Sequence, residues 1–237
     1  PDDNCFSFAQ HASRHRTSSS VVDNYFLITP IVETKENVVV SLPLMEDFYT
    51  IQGEGFYQGS AAYFIRLGGC DVGCVWCDVK ESWDASAHPL VSVGEMARRA
   101  KDSGAQIVVV TGGEPVMYDL AALTDTLKAA GLRTHLETSG AYPITGTWDW
   151  ICFSPKKFKV PDDSVLTKAD ELKVIVYNKS DFVWGEEFAS RVNNKCHLFL
   201  QPEWSKEKEV LPFIIEYVKS NPKWQVSLQV HKYMNIP

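Results

Sequence analysis

Residues 61–77, AAYFIRLGGCDVGCVWC, decide how this chain is read. Ala61 to Leu67 is an apolar run of strand length, broken by Arg66, and it predicts a buried β-strand. The strand empties into Cys70, Cys74 and Cys77, spaced C-x3-C-x2-C. A short loop can turn three thiolates at this spacing toward one point. Three thiolates hold three irons of a 4Fe–4S cluster and leave the fourth iron open to a small molecule. A cluster that only carries electrons normally has four protein ligands. Zinc is the alternative, but it wants four ligands and a second closely spaced pair. Cys5, Cys152 and Cys196 each stand alone. A disulfide framework fits less well, because a chain of 237 residues can bury its own core and six cysteines are few for that length. Arg66 either pairs with an acid or faces a cavity. The strand leads straight into the cysteine loop, so the cavity is the preferred reading.

Composition excludes other classes. Apolar residues make up 45% and charged residues 22% of the chain, as in an ordinary globular protein. Its formal net charge is −7 and its pI is near 5.4, whereas a broad nucleic-acid surface needs a basic face. No apolar run approaches the ~20 residues of a membrane span, and the first residues carry no signal-peptide pattern. Reduced cysteines holding an iron–sulfur cluster fit a cytoplasmic location.

Residues 1–41 read as an N-terminal extension, disordered or loosely attached, with polar Ser13 to Ser20 and an optional strand at 25–32. His11 and His15, four apart, read as solvated. A single domain spans 42–237. Phe48 to Gly55, FYTIQGEG, runs from a strand into a glycine turn, where Gly53 and Gly55 permit close approach of a flat ligand. Ser92 and Glu95 open a helix with a capping box, and Gly104 ends it. Further strands are expected at 106–111, 132–138, 150–153, 171–176, 197–201 and 224–230. Helices are expected at 118–130, 181–192 and 206–220. Strands alternating with helices predict an α/β protein with a mostly parallel sheet. The polar motifs follow strand ends, and ligands bind at that rim of a parallel sheet or barrel.

The motifs FYTIQGEG, FIRLGGC, the cysteine loop with Asp78, VVVTGGEP, HLETSG, ICFSPK, ELKVIV and the closing SLQVHKYMNIP occur in this order from about Leu44 to Pro237. Together they resemble the radical S-adenosylmethionine (SAM) superfamily and, within it, the 7-carboxy-7-deazaguanine synthase family. The cysteine loop alone indicates only the superfamily, and another radical SAM enzyme, such as a glycyl-radical activase, would share it along with GGEP. An electron-transfer module would share the cluster alone. HKYMNIP and the QGEG turn are what favour the narrower family.

The resemblance implies a partial, open β/α barrel of about six parallel strands. It implies a carbon–nitrogen lyase that contracts the ring of 6-carboxy-5,6,7,8-tetrahydropterin to 7-carboxy-7-deazaguanine with loss of ammonia, a step toward queuosine and related deazapurines. SAM cleaved at the cluster would supply the radical. By the same resemblance, Trp76, Asp78, Gly112, Gly113, Glu114, Ser139, Ser154, Pro155, Lys156 and Gln201 meet SAM, with Glu114 accepting from its ammonium. Ile51, Gln52, Gly53 and Thr111 hold the pterin, Arg66 meets its carboxylate, and Pro237 reaches the site. His231 reads equally as a substrate contact or a structural histidine. An electron donor such as flavodoxin or ferredoxin and a homodimer are also implied. Magnesium is expected near position 79, where the family often carries Thr or Ser. Here Val79 offers no side-chain oxygen, which puts that ion in doubt.

Overall fold

The structure is a computed structural model that describes residues 39–237. Cys5, His11, His15 and the expected strand at 25–32 lie outside the described residues. Val38–Pro237 forms one compact unit. Strand β1 (Ser41–Ile51) pairs antiparallel with β2 (Ala61–Leu67), from Ile51 opposite Ala61 to Leu44 opposite Leu67. The FYTIQGEG turn is thus the crossing between two strands. The short β3 (Leu90–Ser92) pairs antiparallel with the start of β1.

From β2 onward the sheet is parallel. β4 (Ile107–Gly112), β5 (Arg133–Thr138), β6 (Trp150–Phe153), β7 (Glu171–Val176), β8 (His197–Pro202) and β9 (Trp224–Val226) follow side by side. The order across the sheet is β3-β1-β2-β4-β5-β6-β7-β8-β9, so the sheet is open rather than closed. Among the described residues seven strands run parallel, in line with the open barrel of about six that the resemblance implies. The seventh is β9, expected as a strand at 224–230, whose three residues pair with Leu198 to Leu200. Continuous apolar runs such as Ile107 to Val110 are buried because helices and loops cover both faces of a parallel sheet.

Helices α1 (Val93–Asp102), α2 (Ala121–Ala129), α3 (Asp163–Lys168), α4 (Ser180–Ala189) and α5 (Glu207–Ser220) lie between the strands. Ser92 Oγ accepts from the Glu95 N–H at 3.2 Å, half of the expected capping box. The other half is missing because the Glu95 carboxylate pairs with Arg98 and Arg99 at 2.8 and 2.9 Å. The helix expected from Tyr118 begins three residues late, because Tyr118 donates its hydroxyl to Gly68 O at 2.8 Å and lies outside the helix. α3 was not foreseen, although Asp162 caps it by accepting from the Ser164 N–H at 2.9 Å.

The expected strand 224–230 ends early. Ser227 turns its hydroxyl to Gln201, and the chain then forms α6 (Val230–Met234), whose first N–H meets Gly53 O at 3.0 Å. The C-terminal segment therefore folds back over the strand ends. Among the described residues no helix is long and apolar enough to cross a membrane.

Candidate active site

The carboxyl ends of the parallel strands open into a cavity of about 360 Å³. Its wall takes Cys70, Cys74 and Cys77 from the loop after β2, Thr111 to Glu114 from β4, Ser139 after β5, Ser154 and Lys156 after β6, Gln201 from β8 and His231 from α6. Successive strands of a parallel sheet deliver their loops to one rim, and so residues far apart in sequence share one wall.

All three cysteines are free thiols. Burial pushes the Cys70 thiol up, and it pushes Cys74 up to about 11. No three His, Cys, Asp or Glu side chains among the described residues converge closely enough to hold a single metal ion. A 4Fe–4S cluster makes a different demand, because each thiolate binds a different iron corner. Three unpaired thiols on one short loop, facing a cavity with room for a further ligand, fit that donor set.

Glu114 is buried and fully engaged. Its Oε1 accepts from Thr138 Oγ1 at 2.5 Å and Val116 N–H at 3.4 Å, and its Oε2 accepts from the Ser139 N–H at 2.9 Å and the Ser139 hydroxyl. Lys156 donates to the carbonyl and the hydroxyl of Ser154 at 2.7 and 2.6 Å, and burial lowers its pKa. Trp76 and Asp78 also line the cavity, with Asp78 Oδ2 paired to Lys232 at 3.2 Å. Pro155 is the exception among the expected SAM contacts. It faces a neighbouring cavity with Tyr177 and Trp184, since successive residues of an extended chain point opposite ways. The tightness around Gly112 and Gly113 also has a local cause. A Cβ on Gly112 would strike the Leu67 backbone, and one on Gly113 would strike Gly69.

Ile51, Gln52, Gly53, Arg66, Thr111, His231 and Pro237 all line the same cavity. Arg66 combines the two readings weighed from the sequence. It faces the cavity, and its Nε also donates to Glu46 Oε1 at 2.7 Å. The space a Gly53 side chain would need is filled by the His231 ring, and that at Gly55 by the Glu171 carboxylate. The QGEG turn is thus packed by protein side chains.

The cavity floor is a charged network. Lys173, on β7, donates to Glu54 Oε2 at 2.6 Å and Glu137 Oε2 at 2.8 Å, and its side chain is 4% exposed. Gln52 Nε2 donates to Glu137 Oε1 at 3.2 Å, and Gln229 Nε2 to Glu54 Oε1 at 2.8 Å. Burial opposes charge on Glu54, but the Lys173 ammonium and two hydrogen bonds outweigh it and bring its pKa down to about 2. Lys173 is held charged by Glu137, Glu54 and Glu171 around it despite the cost of burial.

Comparison with known proteins gives this site a lineage. A sequence profile of the Radical SAM superfamily matches residues 64–151. The chain is 60% identical over 196 residues to the 7-carboxy-7-deazaguanine synthase of Flavobacterium psychrophilum, covering 83% of this chain and 93% of that one. This chain belongs to the 7-carboxy-7-deazaguanine synthase family. The synthase of Synechocystis is 47% identical over 85% of this chain. The crystal structure of QueE from Escherichia coli superposes with a TM-score of 0.71 at 31% identity, over 79% of this chain and 93% of that one.

The chain is therefore a radical SAM enzyme, and membership of the superfamily implies a 4Fe–4S cluster and SAM. Within the 7-carboxy-7-deazaguanine synthase family the motif strings were legible, but Glu54, Glu137, Lys173 and Gln229 were not singled out. Each sits inside a quoted motif: QGEG, ETSG, ELKV and SLQV. A lysine in an otherwise apolar strand run was the available signal, because a buried ammonium requires carboxylate partners.

Proposed function

We propose that this enzyme contracts the ring of 6-carboxy-5,6,7,8-tetrahydropterin to 7-carboxy-7-deazaguanine, with loss of ammonia. One observation carries the reading: the three cysteines, Arg66 and the Glu54–Lys173–Glu137 floor share one cavity. When bound, the cluster and SAM supply a carbon radical that can take hydrogen from the substrate. Cys70, Cys74 and Cys77 hold the cluster, and Trp76, Asp78, Gly112, Gly113, Glu114, Ser139, Ser154, Lys156 and Gln201 hold SAM. For Glu114 to accept from an ammonium, the Thr138 or Ser139 hydroxyl must rotate away, since its four acceptor positions are filled. Ile51, Gln52, Gly53, Thr111, His231 and Pro237 surround the pterin. Glu54 and Glu137 each present one spent lone pair per oxygen and can accept the amino and ring N–H donors of the pterin. Lys173 keeps the Glu54 carboxylate charged for that task. A flavodoxin or ferredoxin delivers the electron, and the enzyme works as a homodimer in the cytoplasm.

The test is anaerobic incubation of cluster-loaded enzyme with SAM, dithionite and the carboxytetrahydropterin. A deazapurine chromophore with release of ammonia is expected. SAM cleavage without deazapurine would overturn the substrate assignment.

Arg66 meets the substrate carboxylate through its terminal nitrogens, while Glu46 takes Nε. Replacing Arg66 by Met keeps part of the stem and removes the charge. KM is expected to rise at least tenfold, consistent with about 1.5–3 kcal/mol for a hydrogen bond to a charged group. Iron content should not change. An unchanged KM would show that the carboxylate lies elsewhere.

Magnesium, on this reading, is held by substrate oxygens and water. Val79 has no side-chain oxygen, and its carbonyl already accepts from the Ser82 hydroxyl and N–H at 2.7 and 3.1 Å. Magnesium keeps waters readily and demands oxygen ligands. Turnover of metal-stripped enzyme should therefore respond weakly, only at high magnesium, and Val79→Thr should shift the response to lower concentration. Tight saturation in the unmodified enzyme would require another oxygen ligand, with Asp78 the nearest candidate.

A further inference from the structure

The cysteine loop is fastened by a contact that none of these roles uses. Asp71 follows Cys70 directly. Its Oδ2 accepts from Lys159 Nζ at 2.6 Å and from the Tyr142 hydroxyl. Lys159 Nζ also donates to the Tyr142 oxygen at 2.6 Å and lies 4.0 Å from the centroid of that ring. The three residues come from three rim loops, those after β2, β5 and β6.

Little else holds that part of the loop. Among the described residues, the backbone N–H groups of residues 70–77 that find backbone acceptors are Cys70, to Trp83 O at 3.1 Å, and Cys77, to Cys74 O at 3.2 Å. Val72 and Cys74 are buried, while Gly73 between them takes φ +75°. At the far end Trp76 meets Phe158 edge-on with centroids 6.1 Å apart. An isolated exposed ion pair contributes little to stability. Here the ammonium is 28% exposed, shared between a carboxylate and a phenol, and seated on a ring. The pair also places one positive and one negative charge beside the first cysteine with no net charge.

We propose that Asp71, Tyr142 and Lys159 form a clasp that positions the cysteine loop, retains the cluster and balances the charge beside it. The inference rests on the reading that Cys70, Cys74 and Cys77 hold the cluster. All three are positioning residues that act through the loop. The charges give the clasp a signature that mere loosening of the loop lacks. Asp71→Asn leaves the Lys159 cation unbalanced, which favours the reduced, more negative cluster. Lys159→Met leaves the Asp71 anion unbalanced, which favours the oxidised one.

The experiment loads the unmodified enzyme anaerobically, beside Asp71→Asn, Lys159→Met, Tyr142→Phe and the charge-swapped Asp71→Lys/Lys159→Asp pair. Iron loss to a chelator and the midpoint potential of the SAM-free cluster are measured. Both charge variants should lose iron several-fold faster, with potentials shifted up for Asp71→Asn and down for Lys159→Met. The swapped pair should recover retention. Tyr142→Phe removes only a hydroxyl, so faster loss there carries the test if a charge variant fails to fold. Iron loss unchanged in all variants, or potentials moving the same way, would overturn the clasp while leaving the cluster assignment intact. An unmodified enzyme that takes up no cluster would overturn both.

Discussion

Replacing Cys74 by alanine is expected to strip most of the bound iron and abolish SAM cleavage. Cys74 is 8% exposed, and burial raises its thiol to about 11. A free thiolate is therefore scarce at neutral pH, and metal must displace the proton to bind. Among the described residues, neither cysteine outside the loop can take its place. Cys152 is buried under the floor with its sulfur 3.5 Å from Glu171 Oε1, and Cys196 lies at the opposite, amino-terminal end of β8. Alanine at Cys152 or Cys196 should leave iron, sulfide and 5′-deoxyadenosine formation close to the unmodified values, whereas alanine at Cys70 or Cys77 should repeat the Cys74 result. Full SAM cleavage by the Cys74→Ala protein would sink the cluster assignment.

The second large effect is on stability. Lys173→Met removes the ammonium from between Glu54 and Glu137 and leaves two carboxylates facing each other with little water. Breaking one side of a buried ion pair costs about 3–5 kcal/mol. In a body of this size each kcal/mol moves Tm by roughly 2–4 °C, so a fall on the order of 10 °C is expected by circular dichroism. Adding Glu137→Gln removes one uncompensated charge and should restore part of the loss. The unmodified protein has its own acid limb. The Glu54 pKa falls from 4.5 to about 2 on folding, so its contribution is complete above pH 4.5 and is lost as pH drops toward 2. A Lys173→Met protein as stable as its parent would mean that the floor carries no net ion-pair energy.

Local chemistry made much of this protein legible before any fold was known. C-x3-C-x2-C states its ligand set within eight residues, because a short loop needs no distant partner to bring three thiols together. The apolar runs of β4 and β8 announce buried parallel strands because both faces are covered, and the glycine and polar residues at their ends announce the rim. Arg66 was legible as an exception in such a run. Whether it paired or faced the cavity was not, and the fold answers that it does both.

Tertiary structure alone decided the rest. Glu54, Glu137, Lys173 and Gln229 lie on four separate segments, and no local spacing relates a turn after β1 to the middle of β7. Only the parallel sheet, by aligning strand ends, makes them one network. The tail could not be read as a helix from its sequence, because α6 is five residues long and is held by a Gly53 carbonyl some 177 residues earlier. The Asp71–Tyr142–Lys159 contact is of the same kind. Its energy depends on three loops meeting, and a sequence records which groups are present but not which of them the fold brings within hydrogen-bonding distance.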